Sequence, residues 1–177
     1  IHGEEKRTIV PWENIPETVK RSTLASEDSS FYEHGGLDYT GIIRAFLNNL
    51  AKFRIDQGGS TITQQLIKNA LLGEQRQSFF SVISRKVREA VLAIEIERKF
   101  SKDQIFWMYL NQIPYGSNAY GIEAASQTFF GKQAKDLDIA QAALLASLPK
   151  APTYYSPYGS HLDETLARKD YALLRMK

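Results

Sequence analysis

Apolar residues recur at helical spacing along most of this chain, and glycine or proline marks the ends of several predicted helices. Between 39 and 53 the residues at this spacing are Ile42, Ile43, Phe46, Leu47 and Leu50. The same pattern predicts helices over 15–25, 60–72, 85–99, 102–111, 138–148 and 163–177. Strand-like sequence is confined to 7–10. The chain is therefore predicted to have a mainly α fold.

Length and composition indicate one globular domain and exclude several kinds of site. With 177 residues, 43% hydrophobic and 24% charged, the chain is long enough for one domain with a substantial core. A net charge of +2 gives no field for a polyanion, so no nucleic-acid partner is expected. Absence of cysteine excludes disulfides and thiolate metal sites. No stretch reaches the length of a membrane span, and the abrupt ends predict a fragment of a longer protein.

The segment 27–36 concentrates groups suited to acid–base chemistry. Glu27 and Asp28 are followed by Glu33, His34 and a Gly-Gly pair. A general base needs a carboxylate in a partly desolvated cleft, where its pKa rises toward the working pH. An acidic helix end with capping carboxylates explains the same residues. The residues alone leave both interpretations open.

The segment 58–65, Gly-Gly-Ser-Thr-Ile-Thr-Gln-Gln, is rich in hydroxyl and amide groups. Such groups bind sugars and pyrophosphate without adding charge. Lys68 follows three residues after Gln65 and would add a positive charge on the same helical face. An ordinary Gly-Gly turn, with Ser60 or Thr61 capping the next helix, is the alternative.

A basic segment, Arg85-Lys86-Val87-Arg88-Glu89, opens the predicted helix 85–99. Apolar residues follow on more than one side of this helix: Val87, Val91, Leu92, Ile94 and Ile96. A helix that is apolar on most sides is buried. We therefore expect Glu89 to be buried beside basic neighbours, because buried charges must be paired. The alternative is an Arg85–Glu89 salt bridge on a solvated face.

Taken in order, these segments resemble the motifs of the peptidoglycan glycosyltransferase domain of class A penicillin-binding proteins and monofunctional transglycosylases. The matching segments are Glu27-Asp28-x-x-Phe31-x-x-His34-x-Gly36, 58–65, Arg85-Lys86-x-x-Glu89, 102–111 with Gly116 and Tyr120-Gly121, and 144–152. The resemblance extends over residues 11–177. Five motifs in the right order make a chance match very improbable.

The resemblance implies a lysozyme-like helical fold with two lobes, a head and a jaw beside the membrane. Residues 1–177 would form a single glycosyltransferase domain of a membrane-anchored protein, with an N-terminal anchor outside this chain. That protein would lie on the outer face of the bacterial cell membrane. It would polymerise lipid II into β-1,4-linked glycan strands, with inversion at the donor carbon and release of undecaprenyl pyrophosphate.

The resemblance also implies residue roles. Glu27 would be the general base, and Glu89 would be the second catalytic carboxylate, on the pyrophosphate side. The predicted substrate-binding residues are Asp28, His34, Ser60, Thr61, Gln64, Gln65, Lys68, Arg76, Arg85, Lys86 and Arg88. No tightly bound cofactor and no protein metal site are expected, although Mg²⁺ or Mn²⁺ could accompany the pyrophosphate.

The expected partners are lipid II, the lipid-linked glycan chain, the membrane surface, moenomycin-type inhibitors and other cell-wall synthesis proteins. Two other interpretations of the sequence stay open. A lysozyme-like lytic enzyme would also use one acidic residue in a helical lobe, but it would not need the basic segment. A non-catalytic helical adaptor would use the motifs only as caps and salt bridges.

Overall fold

A computed structural model describes residues 6–44, 59–72 and 79–176, without the side chains of 79–81. The regular elements are β1 Lys6–Arg7, α1 Glu17–Glu27, α2 Ile62–Ile67, α3 Phe79–Lys99, α4 Lys102–Gln112, β2 Pro114–Gly116, β3 Ala119–Tyr120, α5 Ile122–Phe130, α6 Ile139–Ser147 and α7 Leu162–Arg175. Residues 39–44 are also helical, and Lys68–Leu72 forms a π-helical turn after α2. The prediction of a mainly α fold is confirmed.

Most of the predicted helices are present, with shifted ends. Helix α3 begins at Phe79, well before the predicted start at 85. Helix α5 was not predicted, because it is short and lies between Gly121 and Gly131. Residues 117–118 form the turn of a small hairpin between β2 and β3. The rest of the predicted helix 39–53 lies outside the described residues.

The chain divides into two compact units, and the first comprises residues 1–29 and 107–177. In this unit α1, α6 and α7 pack against one another. The packed positions are dominated by small side chains: Ala25, Ala142, Ala143, Ala146 and Ala172. Small residues let helix backbones approach closely, so the end of α1 is held firmly between its neighbours.

A three-stranded sheet and a buried asparagine fix the N-terminal segment of this unit. Strand β3 pairs parallel with β1 and antiparallel with β2. Asn111 accepts a hydrogen bond from the Val10 amide at 2.9 Å and donates to the Val10 carbonyl at 3.2 Å. Trp107 donates to the same carbonyl at 2.8 Å. These two side chains of α4 therefore satisfy both the backbone amide and the backbone carbonyl of Val10.

The second unit comprises residues 30–106. Its core is formed by fully or almost fully buried side chains: Phe31, Ile62, Leu66, Ile67, Ala93, Ile105 and Phe106. Helix α2 packs against α3. The Phe31 and Phe106 rings lie 5.6 Å apart between centroids.

Gly36 lies against the backbone of α3 and is hydrogen-bonded to Thr61, the N-cap of α2. Its φ is +91°, and an added Cβ would lie 2.9 Å from the Ala93 carbonyl carbon and oxygen in α3. Its own carbonyl accepts a hydrogen bond from the Thr61 hydroxyl at 2.7 Å. Only glycine tolerates both the positive φ and the close approach of the α3 backbone.

We expect Gly36→Ala to destabilise the second unit by about 2–4 kcal/mol, because strain and overpacking add. Thermal unfolding should show this as a loss of roughly 5–15 °C in Tm. Gly35→Ala is the matched control, since an added Cβ at Gly35 meets nothing within 4 Å. Equal Tm values for the two variants would contradict the role given to Gly36.

Candidate active site

Glu27 is the last residue of α1, and Asp28 is its C-cap. The Glu27 side chain is only 7% exposed, and Asp28 is buried as well. The nearest Arg168 nitrogen, Nη2, lies 3.5 Å from Glu27 Oε1, and Ser26 Oγ donates to the same oxygen at 3.4 Å. The predicted general base is therefore a nearly desolvated carboxylate with a cation beside it.

The charge of this carboxylate contributes to the raised pKa of two buried tyrosines, Tyr109 and Tyr115. Burial raises the pKa of Tyr109 well above its usual value, and the charges of Glu27, Tyr115 and Asp28 raise it further. Burial, with a contribution from the Glu27 charge, also raises the pKa of Tyr115. Both phenols therefore stay protonated at neutral pH, and the surroundings of Glu27 hold neutral hydroxyl groups.

Residues 30–36 of the segment 27–36 belong to the second unit, as does Asp38. The His34 ring lies edge-on to Phe31, with 6.1 Å between centroids. Asp38 accepts hydrogen bonds from the Gly41 amide at 2.8 Å, Thr40 at 2.7 Å and Ser30 at 2.9 Å. Burial opposes ionisation of Asp38, but these bonds and the His34 charge outweigh it and lower the pKa of Asp38. Asp38 thus caps the helix that begins at 39.

The segment 59–65 begins α2 through a reciprocal cap. Thr61 Oγ1 accepts from the Gln64 amide at 3.2 Å, and Gln64 Oε1 accepts from the Thr61 amide at 3.0 Å. Thr61 is 2% exposed and Gln64 is also buried. The predicted helix cap is confirmed at Thr61. A substrate contact by Thr61 or Gln64 stays a prediction, and these polar groups already satisfy one another.

Glu89 is fully buried, at 0% exposure, and is surrounded by positive charge. Arg85 Nε lies 3.3 Å from Oε1, and Lys86 Nζ donates to Oε2 at 2.7 Å. Lys86 Nζ also donates to Ser60 Oγ at 2.9 Å. The expectation of a buried Glu89 with basic neighbours is confirmed. We call these four residues, Ser60, Arg85, Lys86 and Glu89, the Glu89 cluster.

The apolar pattern predicted that α3 is buried on most sides, but one of its apolar stripes is exposed. Val87 is 58% exposed, Val91 is 52% exposed, and Ile83 continues the exposed stripe by one turn. The packed face runs instead through Arg85, Glu89 and Ala93, at i, i+4 and i+8. Packing against α2 chooses the face that contains the charge and leaves the valine stripe outside.

The other predicted substrate-binding residues of this region are not members of the Glu89 cluster. Arg88 is exposed and donates to Ser84 at 3.1 Å, one turn back along α3. Lys68 is half-buried in the π-helical turn that follows α2. Gln65 is half-buried near the end of α2. Arg76 lies outside the described residues.

A family profile described as Transglycosylase matches residues 1–177. This chain belongs to the transglycosylase family. Penicillin-binding protein 1A of Aquifex aeolicus strain VF5 is 48% identical over 98% of this chain, and that of Rickettsia bellii strain RML369-C is 43% identical over 97%. Penicillin-binding protein 4 of Bacillus subtilis strain 168 is 39% identical over the whole chain.

The transglycosylase domain covers 23%, 21% and 27% of these three relatives, respectively. The chain thus spans only about a quarter of their length. Family membership makes it an enzyme domain of the glycosyl-transferring type.

One buried ion pair of this transglycosylase domain was not predicted from the sequence. Lys102 Nζ lies 2.6 Å from Glu97 Oε2, and Thr63 donates to Glu97 Oε1 at 2.6 Å. The Lys102 ammonium also sits over the Phe31 ring, 4.3 Å from its centroid. Lys102 is thus tied to the packing of the second unit. In the sequence, Lys102 is marked only by its position at the start of the matching segment 102–111.

Arg168 is the other contact that was not predicted. It lies on α7, which was predicted only as an amphipathic helix. Thr165, Arg168 and Ala172 are spaced at i, i+3 and i+7, and both Thr165 and Ala172 are fully buried. A basic residue in register with two buried positions is the signal that would have found it.

Proposed function

We propose that the full-length protein carrying this transglycosylase domain polymerises lipid II into β-1,4-linked glycan strands. The growing lipid-linked chain is the donor and a new lipid II molecule is the acceptor. The bond from donor C1 to pyrophosphate breaks while the acceptor 4-hydroxyl attacks C1 with inversion, which releases undecaprenyl pyrophosphate. The Glu89 cluster is the observation that best supports this function.

The Glu89 cluster suits a diphosphate leaving group. Two cations meet one buried carboxylate, and Lys86 keeps 46% of its side chain exposed while it holds both Glu89 and Ser60. Its ammonium is therefore oriented before a ligand arrives, and preorganised donors stabilise developing negative charge most strongly. In the proposal, Glu89 fixes Arg85 and Lys86, and these two cations take the pyrophosphate oxygens. Lys68, Arg76 and Arg88 add positive charge, while Ser60 and Gln65 bind neutral groups.

Glu27 is proposed as the base. Its almost fully buried carboxylate takes the proton of the acceptor hydroxyl as that oxygen attacks. Asp28, His34, Thr61 and Gln64 are proposed to bind the sugars of the substrate. The two neighbouring tyrosines remain neutral, so they do not compete for the proton.

A divalent cation is proposed to travel with the substrate. Within the residues that the structure describes, no three acidic or histidine side chains are grouped as a metal site. Both Glu89 oxygens face cations, an arrangement that does not fit direct coordination of Mg²⁺ or Mn²⁺. Such an ion would therefore be held by pyrophosphate oxygens, and no step above depends on it.

The proposed location is the outer face of the bacterial cell membrane, with an N-terminal anchor that is not in this chain. Across the described ranges, no helix is both long and apolar enough to cross a bilayer. Exposed apolar side chains of the second unit support contact with a membrane surface: Tyr39, Ile42, Ile43, Ile83, Val87 and Val91. Moenomycin-type inhibitors and other cell-wall synthesis proteins are the remaining proposed partners.

The test is to incubate the full-length protein with fluorescent lipid II and to separate the products by size. We expect a ladder of lengthening strands. Lys86→Met should reduce the rate by about 100-fold to 1000-fold, the range for loss of a donor to developing charge. Arg98→Met, which removes a cation at the end of the same helix, should keep the normal rate.

Two outcomes would overturn the proposal. Shortening of preformed glycan without any extension would identify a lysozyme-like lytic enzyme instead. Equal rates for Lys86→Met and the unaltered protein would remove the Glu89 cluster from the pyrophosphate site.

A further inference from the structure

Arg168 brings several structural elements together at the end of α1. From α7, its Nε donates to the Ser147 carbonyl at the end of α6 at 3.3 Å. Its guanidinium lies 5.0 Å from the centroid of the Tyr155 ring. Its Nη2 lies 3.5 Å from both Glu27 Oε1 and Ser26 Oγ.

The guanidinium is held mainly by groups other than Glu27. The carbonyl and the ring fix its position, and Thr165, one turn back on α7, is fully buried and donates to the Tyr155 carbonyl at 3.1 Å. The guanidinium reaches the carboxylate through one long contact, whereas a dedicated arginine–carboxylate pair is usually bidentate and shorter. Arg168 is therefore a fixed charge beside Glu27.

Two features of the Glu27 environment disfavour its ionised form, and a nearby positive charge opposes both. The side chain is almost fully buried, and Asp28 places a second carboxylate next to it at the end of α1. Tyr109 of α4 and Tyr115 of β2 are neutral at working pH, and α6 carries no ionisable side chain. Desolvation and a neighbouring anion both favour the protonated acid, which cannot act as a base.

We propose that Arg168 is a positioning residue that keeps Glu27 ionised and correctly oriented in the resting enzyme. This inference rests on the proposed function, in which Glu27 is the general base. The side chain of Arg168 acts through Glu27 and not on the substrate. It explains why a cation with only 17% of its side chain exposed lies on a helix that carries none of the predicted site residues.

The first measurement is the dependence of kcat/KM for lipid II on pH in the full-length protein. Arg168→Met keeps most of the side-chain length but removes the charge. We expect the acid limb of its profile to move upward by about one pH unit or more, because an opposite charge at this distance changes ionisation by that amount. At a pH below the limb, each pH unit of this movement should lower activity about tenfold, and activity should recover at higher pH. Arg168→Lys should restore part of the original profile.

Arg175→Met is the matched control. It removes an arginine from the same helix whose guanidinium contacts Ser29 and Tyr171. Its profile should coincide with that of the unaltered protein. Thermal unfolding of both variants separates loss of folding from loss of charge, since a folding defect lowers activity equally at all pH values.

A second measurement does not depend on turnover. Carbon-13 NMR of glutamate-labelled protein, compared with Glu27→Gln, gives the titration of the Glu27 carboxyl group directly. Arg168→Met should move that titration to higher pH. An unchanged titration in folded Arg168→Met would overturn the role of Arg168. If the titration moves but the unaltered protein polymerises no lipid II, the proposed function fails and the charge relationship stands.

Discussion

Glu27→Gln is expected to slow lipid II polymerisation by about 10²-fold to 10⁴-fold, the contribution of a general base. The amide keeps the size of the side chain but cannot take the proton of the acceptor hydroxyl. The measurement is the initial rate of strand formation by the full-length protein, with binding of a moenomycin-type inhibitor followed in parallel. Inhibitor binding should be largely retained, because the substitution leaves the Glu89 cluster, with its cations Arg85 and Lys86, unchanged.

Glu17→Gln is the control for this substitution, since Glu17 is an exposed carboxylate in the first turn of the same helix. It should polymerise at the normal rate. A normal rate for Glu27→Gln would assign the proton transfer to another group. Loss of inhibitor binding together with a large fall in Tm would instead indicate that Glu27 is needed for folding.

Glu89→Gln is expected to have the second large effect, on both stability and binding. Removing one partner from a buried charge pair costs about 3–5 kcal/mol, because the remaining charge is left uncompensated. The cost should lie at the lower end of this range, since Lys86 is half-exposed and can turn toward water. We expect a lower Tm, loss of moenomycin-type inhibitor binding and little polymerisation.

Two further variants separate these effects. Glu95→Gln removes an exposed carboxylate from the same helix and should change neither Tm nor binding. The double variant Arg85→Met/Glu89→Met removes both buried partners and should recover part of the lost stability without recovering binding. Full inhibitor binding by this double variant would show that the Glu89 cluster is only a structural ion pair.

Much of the local structure follows from the sequence because its signals are local. The sequence predicts Ser60 or Thr61 as a helix cap, and Thr61 forms a reciprocal cap with Gln64. Ser101 forms the same kind of cap with Gln104. Asp138 likewise caps α6. A cap needs only a hydroxyl or carboxylate at the first position and an amide three residues on. Such pairs can be read without knowledge of the tertiary fold.

The face of a helix that is buried is not decided locally. The sequence predicts burial on most sides of α3, but only the face with Glu89 and Ala93 is packed and the valine stripe is exposed. Both faces have helical spacing, so periodicity cannot choose between them. The choice depends on packing against α2, and the segment that leads into α2 supplies Ser60 as a partner for Lys86.

The sequence by itself determined the helical class, the helix cap at Thr61, the order of the motifs, the two glutamates on which the proposed chemistry rests and the basic neighbours of Glu89. Only the tertiary structure decided that Arg168 lies beside Glu27 and that Ser60 is a partner of Lys86. Arg168 lies 141 residues from Glu27, and Lys86 lies 26 residues from Ser60. Contacts over such separations are set by the packing of whole helices, because the free energy of burial favours them and no local pattern encodes them. Arg168 and Ser60 could therefore be identified as partners only in the folded chain.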